Sequence, residues 1–408
     1  MVIFTQQIIA GKDGTGDFDM SFMMYIPTRI LFGAGQLNNL HEQKLPGKKA
    51  MIVITSGTSA KEYGYLERTK EQLKQAGVES VVFDKVQPNP LRSTVMAGAA
   101  FAKEHGCDFV VALGGGSCID ASKAIAVMTT NEGDYWDYIF GGTGKEKLMM
   151  NKPLPVIVIS TTSGTGSETD PWAVVTHETR HEKIGLGNDD TFPVLSIVDP
   201  ELTKTVPPDL TAYQGFDALF HSAEGYVSKG TNLMSDVFAI NAIENVGRNL
   251  AKVVRNGDDI DAREKVTFGN ILSGMLETIG AVTSQHALEH AMSAYHQELP
   301  HGAGLIMISR AYFTKVIERH VADDRFIAMA KAMGMEDAKD PMDFITMLSK
   351  LMEECGVSEL KMSDYGIKPE EFETLAKNAK ETMGGLFLTD RSEMSIEDCV
   401  AIYADSYR

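Results

Sequence analysis

The chain has 408 residues, 43% hydrophobic and 23% charged, proportions that exclude intrinsic disorder and collagen-like repeats at a length one hydrophobic core rarely supports. Thirty-eight Lys and Arg face 56 Asp and Glu, a formal net charge of −18, which repels nucleic-acid phosphate and anionic lipid and excludes both as expected partners. The four cysteines, Cys107, Cys118, Cys355 and Cys399, form no CxxC pair, which argues against a disulfide framework or a thiolate zinc site and for buried thiols in a reducing cytoplasm.

In chain order, the first twenty residues offer a small hairpin at Asp13-Gly14 or a bare extension. They lack the pattern of a targeting segment, and no apolar stretch approaches the roughly 20 residues that span a bilayer. Met23 and Met24 read as core filling. Between about residues 50 and 200, short apolar runs alternate with helical patterns, which predicts βα units around a mostly parallel sheet. The predicted strands are AMIVIT from Ala50, SVVF from Ser80, DFVVAL from Asp108, PVIVIS from Pro155 and VLSIV from Val194, rich in the β-branched residues of doubly covered strands. Ala60 to Ala76 carries Tyr65, Leu66, Leu73 and Ala76 among charges, as a helix on a sheet does. Pro207-Pro208 then punctuates the chain, and everything beyond reads as amphipathic helix. The expected division is an α/β nucleotide-binding domain over residues 1–205 and an all-helical metal-binding domain over residues 206–408. Acidic runs at Asp258 to Asp261 and Glu370 to Glu373 read as solvated helix ends.

Two segments suggest phosphate cradles. DFVVAL runs into Gly114-Gly115-Gly116-Ser117 and then a helical pattern, so backbone amides and a helix N-terminus converge where a pyrophosphate can bind. Three glycines suggest close approach of a ligand, since one would serve a plain turn. After PVIVIS comes Ser160-Thr161-Thr162-Ser163-Gly164-Thr165-Gly166-Ser167-Glu168, dense in short hydrogen-bonding groups, of which helix capping explains Ser167 alone.

A metal is suggested further on. His286, His290, His296 and His301 fall within sixteen residues, and Asp217 and His221 stand at i and i+4 in FDALFHSAEGY, one face of a helix. His286 and His290 repeat that spacing, while His301 sits in Pro300-His301-Gly302, read as a loop. One carboxylate with three imidazoles and no thiolate suits Fe²⁺ or Zn²⁺ better than Ca²⁺.

These residues resemble the iron-containing, or group III, alcohol dehydrogenases, a branch that includes butanol, 1,3-propanediol and lactaldehyde dehydrogenases. The matching segments are IPTRILFGAG at Ile26 to Gly35, GGGSCID at Gly114 to Asp120, STTSGTGSE at Ser160 to Glu168, VDPEL at Val198 to Leu202, GFDALFHSAEGY at Gly215 to Tyr226 and HALEH…PHG at His286 to Gly302. The resemblance implies a Rossmann-like α/β domain followed by an all-α domain, the dehydroquinate synthase-like architecture. It implies Asp217, His221, His286 and His301 as ligands of Fe²⁺, or of Zn²⁺ in some relatives, and His290 as the proton-transfer residue beside the nicotinamide. Gly114, Gly115, Gly116, Ser117, Thr161, Thr162 and Thr165 fall at the family's pyrophosphate and ribose positions, with Asp120 nearby and Lys183 near the ribose. The interval from His290 to His301 is one residue longer than the family spacing and encloses His296; Pro-His-Gly assigns the fourth position to His301. NAD-preferring members carry an acid at the end of the first strand, where this chain has Ser56, followed by Gly57, Thr58 and Ser59. Neutral hydroxyls at Ser56 and Ser59 tolerate a 2′-phosphate, so NADP(H) is expected over NAD(H).

The implied reaction moves a hydride between a short-chain alcohol or aldehyde and a nicotinamide held between the two domains, with the substrate oxygen on the metal and the proton leaving through His290. A homodimer or larger assembly is implied as well. Glycerol dehydrogenase-like and other dehydroquinate synthase-like enzymes share the scaffold but typically ligate with one acid and two histidines, and a metal-binding structural protein would not need the hydroxyl-rich loop. Trp172, in SETDPWAVV, reads equally as pocket wall or core.

Overall fold

A computed structural model describes residues 21–408; the hairpin expected at Asp13-Gly14 lies outside them. The chain divides into two compact units, one over Ile26–Val206 and one over Pro207–Arg408 that also gathers residues 21–25.

The first unit holds eight strands: β1 (Arg29–Phe32), β2 (Lys49–Thr55), β3 (Glu79–Val86), β4 (Phe109–Gly114), β5 (Val156–Ser160), β6 (Ala173–His177), β7 (Glu182–Leu186) and β8 (Leu195–Val198). Six form one sheet in the order β1-β8-β5-β4-β2-β3, with every pairing parallel. All five apolar runs are strands, and β4, β5 and β8 are buried along their whole length, as parallel strands covered on both faces must be. Ile52, Ile54, Val111, Leu113, Ile157, Ile159, Leu195 and Ile197 share one core, each contributing about 1.5–3 kcal/mol by leaving water.

Helices link the strands: α1 (Ser59–Glu62), α2 (Tyr65–Gln75), α3 (Arg92–His105) and α4 (Gly116–Thr130). The single helix expected over Ala60 to Ala76 is thus two, broken at Gly64, whose φ of 75° suits glycine and ends helical geometry. Strand β1 escaped the sequence pattern because it is a four-residue edge strand opening with an exposed arginine. The antiparallel β6–β7 hairpin escaped because its turn uses His181 at φ 52° instead of a glycine. From β2 the chain steps outward to β3 and returns to β4 on the opposite side of β2. The carboxyl ends of β2 and β4 therefore flank a topological switch point, the place where such sheets bind ligands.

The second unit is helical, with no strand among its described residues: α5 (Pro208–Val227), α6 (Leu233–Arg255), α7 (Ile260–Ile279), α8 (Ser284–Tyr295), α9 (His301–Ile317), α10 (Asp323–Ala332), α11 (Asp343–Glu354), α12 (Phe372–Phe387) and α13 (Ile396–Ser406). Helices α5 and α8 are buried on nearly every side, so their polar residues need internal partners. Met23 and Met24 do not fill a core: they are 62% and 44% exposed, in a segment that forms no helix or strand to carry them inward. All four cysteines are unpaired and buried, and burial pushes the Cys118, Cys355 and Cys399 thiols up to about 12, which makes them poor nucleophiles. No described helix is long and apolar enough to cross a membrane.

Candidate active site

The glycine-rich turn and the hydroxyl-rich loop meet at the end of the sheet. Gly114 ends β4, Gly115 precedes α4, and the backbone N–H of Thr161 donates to Gly114 O at 3.1 Å. The close approach that requires glycine is by the chain itself. A Cβ on Gly115 would lie 2.6 Å from Thr162 Cγ2, and one on Gly116 2.3 Å from Thr165 Cγ2. Helix α4 starts without a side-chain cap and without an acid in its first turn, which leaves its N-terminal dipole to an anion. Gly115, Ser117, Thr161, Thr162 and Thr165 are partly exposed there, and Ser56 and Ser59 are exposed at the end of β2.

Asp120 lies one layer behind. Its oxygens accept from Ser167 Oγ at 2.6 Å and from Val174 N at 3.0 Å, and burial raises its carboxyl to about 6. Beside it the wholly buried Lys123 Nζ donates to Ser167 Oγ, Asp170 O, Asp170 Oδ1 and Trp172 O at 2.8–3.1 Å. Four acceptor oxygens around its three N–H groups satisfy an ammonium that could not otherwise be buried. This network pins the hydroxyl-rich loop to α4. Lys183, in β7, is buried and donates to Asn89 Oδ1 at 3.1 Å. Trp172 is only partly buried.

In the helical unit, α5 presents Asp217, His221 and Glu224 along one stripe, and α8 presents His286, Glu289 and His290. His301 is the first residue of α9 rather than part of a loop. The next residue brings α9 in close: a Cβ on Gly302 would stand 2.1 Å from the Tyr213 carbonyl oxygen of α5. Three imidazole Nε2 atoms converge on Asp217 Oδ1, from His221 at 3.7 Å, His286 at 3.6 Å and His301 at 3.4 Å. Each of these distances to Asp217 is close to the roughly 3.3–3.6 Å between donors on a tetrahedral ion with bonds of about 2.0–2.2 Å; Asp217, His221 and His286 offer donors all within 4.8 Å of one another, and His301 does so with Glu289 and His290.

Behind each imidazole stands a carboxylate. Glu224 Oε1 meets His286 Nδ1 at 2.5 Å, Glu277 Oε1 lies 3.5 Å from His221 Nδ1, and Glu289 Oε2 hydrogen-bonds His301 Nδ1. Such partners turn the far nitrogen toward a metal and raise its basicity. Asp217 Oδ1 and His286 Nε2 are buried without a hydrogen-bond partner, a costly arrangement that a cation between them relieves. Burial alone would raise the Asp217 carboxyl, yet His221 and His301 outweigh it and hold it well below the ordinary range. Burial alone would lower His286, and the Glu224 and Asp217 carboxylates instead lift it to about 10. The cage favours positive charge at its centre, and its donor set fits Fe²⁺ or Zn²⁺.

His290 is buried, with its ring centroid 5.3 Å from that of His301. His296 follows α8 and turns its Nε2 to Glu371 Oε1 at 3.2 Å. The structure thus gathers Asp217, His221 and His286, brings His301 to Asp217 from one side, and leaves His296 outside. Sequence reasoning missed Glu224, Glu277 and Glu289; a signal existed for two of them, an acid three residues after His221 and another three after His286.

Two family models cover almost the whole chain, iron-containing alcohol dehydrogenase over residues 27–200 and Fe-containing alcohol dehydrogenase family, C-terminal, over residues 211–407. The chain belongs to the iron-containing alcohol dehydrogenase family. This metal-dependent alcohol dehydrogenase is 35% identical to alcohol dehydrogenase 4 of Schizosaccharomyces pombe, over 87% of its own length and 82% of the relative's. It is 33% identical to the 1,3-propanediol dehydrogenase of Citrobacter freundii, over 88% and 93%. Among solved structures, an archaeal halo-thermophilic alcohol dehydrogenase from a Red Sea brine pool superposes with a TM-score of 0.90 at 33% identity, covering 96% of this chain and all of that one. The alcohol dehydrogenase thus has the fold its sequence implies, a parallel-sheet Rossmann-like unit followed by a helical one.

Proposed function

We propose that Asp217, His221, His286 and His301 hold one divalent cation, Fe²⁺ ahead of Zn²⁺, in an enzyme that interconverts short-chain alcohols and aldehydes using NADP(H) in preference to NAD(H). The observation that carries this reading is the convergence of three imidazole nitrogens on one buried Asp217 oxygen, each imidazole backed by a carboxylate. When bound, the cation supplies a Lewis acid for the substrate oxygen and the dinucleotide supplies hydride chemistry.

The chain's own residues bind, orient and move a proton. The uncapped N-terminus of α4, with Gly115, Gly116 and Ser117, and the hydroxyls of Thr161, Thr162 and Thr165 form the cradle for pyrophosphate and nicotinamide ribose. Gly114 and Asp120 support it from behind, and Lys183 stands toward the ribose. Ser56 and Ser59 present hydroxyls where an acid would repel a 2′-phosphate. The nearest carboxylate on the neighbouring strand, Asp84, is taken by Lys61 Nζ at 2.6 Å. His290, next to His301 but outside the Asp217 cluster, accepts the alcohol proton in oxidation and returns one in reduction, as an imidazole does at neutral pH. Relatives named 1,3-propanediol dehydrogenase and probable NADH-dependent butanol dehydrogenase 1 support the short-chain substrate class, and the buried thiols suit a reducing, cytoplasmic setting.

The test is purified protein loaded with Fe²⁺, assayed for oxidation of NADPH and NADH against propanal, butanal and lactaldehyde, with and without a chelator, alongside the variant His286→Ala. Chelator-sensitive oxidation in the wild type, with metal content and turnover lost in the variant, is expected. Unchanged metal content in His286→Ala would remove the ligand assignment.

A further inference from the structure

The hydrogen bonding behind the metal cage does not stop at Glu224. Glu224 Oε2 accepts from Thr283 N and from Thr283 Oγ1, both at 2.9 Å, and from His286 N at 3.4 Å. Thr283 Oγ1 lies 2.9 Å from Tyr312 OH, which lies 2.9 Å from Asp390 Oδ1. Ser284 braces the far end, its N–H donating to Asp390 Oδ1 at 3.3 Å and its hydroxyl to Tyr312 OH at 3.3 Å. All five residues are buried, and α5, α8, α9 and the segment after α12 each contribute to the chain of bonds.

Counting protons decides the state of this chain. Its three links run from Asp390 to Tyr312, from Tyr312 to Thr283 and from Thr283 to Glu224, and each needs one hydrogen. Tyr312 and Thr283 supply one apiece. Glu224 is committed to accepting, from the Thr283 amide and from both nitrogens of His286 that face it. The third hydrogen therefore belongs to Asp390. We infer that Asp390 is held as a neutral carboxylic acid donating to Tyr312, and that Asp390, Tyr312 and Thr283 are positioning residues that fix Glu224 and, through it, His286 in the metal cage. Burial, working against the Ser284 and Tyr312 hydrogen bonds, raises the Asp390 carboxyl to about 6. The buried Asp390 Oδ2 has no hydrogen-bond partner, which is less costly on an acid than on an anion.

The inference rests on His286 being a metal ligand. Its test uses full-length protein loaded with Co²⁺ alone, near pH 6, following the visible bands of the bound ion during challenge with EDTA. Tyr312→Phe and Asp390→Ala are expected to release Co²⁺ about 10-fold faster or more, the scale of outer-partner losses at metal sites. Asp390→Asn, whose amide N–H also donates to Tyr312, is expected to stay within about twofold of wild type by keeping that bond. The infrared difference between wild type and Asp390→Asn is expected to show the carbonyl band of a protonated buried acid. Release as fast in Asp390→Asn as in Asp390→Ala, absence of that band, or unchanged release in Tyr312→Phe would each overturn the inference. Where Tyr312→Phe fails to fold, Thr283→Ser and Thr283→Val carry the test, with slow release kept only by the hydroxyl. His286→Ala separates the two claims: retained Co²⁺ there removes the ligand assignment, whereas lost Co²⁺ there with unaltered Tyr312→Phe removes the relay alone.

Discussion

Gly302→Ala adds one methyl group, and the structure says where it goes. The new Cβ would lie 2.1 Å from Tyr213 O, 2.6 Å from Tyr213 C and 3.0 Å from Tyr213 Cα. These are backbone atoms of α5, so no rotamer change relieves the clash. Relaxed carbon-to-oxygen contact begins at roughly 3.3 Å, so the start of α9 must retreat by about 1 Å and carry His301 with it. His301 Nε2 is 3.4 Å from Asp217 Oδ1, and metal bonds tolerate only about 0.2 Å of error. Overpacking of this kind costs about 1–3 kcal/mol, which lowers Tm by about 2–4 °C per kcal/mol in a unit of this size. Metal affinity is expected to fall at least about 10-fold, equivalent to about 1.4 kcal/mol. The assay is metal content after equilibration in buffered Fe²⁺ or Zn²⁺, together with thermal melting. Gly384→Ala, the same change on α12 with nothing within 4 Å of the added carbon, is the control and is expected to hold metal normally. Wild-type metal affinity and Tm in Gly302→Ala would refute the argument that this contact sets His301.

Ser56→Asp places a carboxylate at the end of β2 and is expected to shift the NADPH to NADH ratio of kcat/KM toward NADH by about 10-fold or more; an unaltered ratio would show that this position does not meet the 2′ substituent. His290→Ala is expected to keep its metal while kcat falls about 10²- to 10⁴-fold and its pH profile changes, whereas metal loss would make it a ligand. Asp398 hydrogen-bonds Ser395 N, Arg319 and Lys315, which outweigh burial and depress its carboxyl to about 2. Its stabilisation is complete above its unfolded value near 4 and disappears as pH falls toward 2. Asp398→Asn is therefore expected to cost about 1 kcal/mol at neutral pH, allowing for solvent screening. In melting of the metal-free proteins, that gap from wild type should close between about pH 4 and pH 2.

Legibility in the sequence follows the range of the interaction. Asp217 with His221, and His286 with His290, pair directly from their spacing because i and i+4 share a helix face. The central strands are legible because their apolar runs are unbroken. Edge strand β1 is not, since one side of an edge needs no apolar pattern. Glu224 and Glu289 lie three residues after His221 and His286, yet an acid among helical residues reads as solvated until burial is known. Glu277 reaches His221 only by the packing of α7 against α5, a contact across 56 residues that no local spacing encodes. The glycines of the Gly114–Ser117 turn have a reason to be glycine that the sequence does not show: it suggests room for a ligand, whereas in the structure Thr162 and Thr165 stand against Gly115 and Gly116.

The same two contacts set a rule for protein engineering. Because Gly115 and Gly116 are each filled by a threonine from the other loop, a library that varies one loop while holding the other samples mostly clashes. Productive diversity at Gly115 or Gly116 requires simultaneous shrinkage at Thr162 or Thr165, so beneficial combinations will be missed by single-site scans and must be sought as linked pairs.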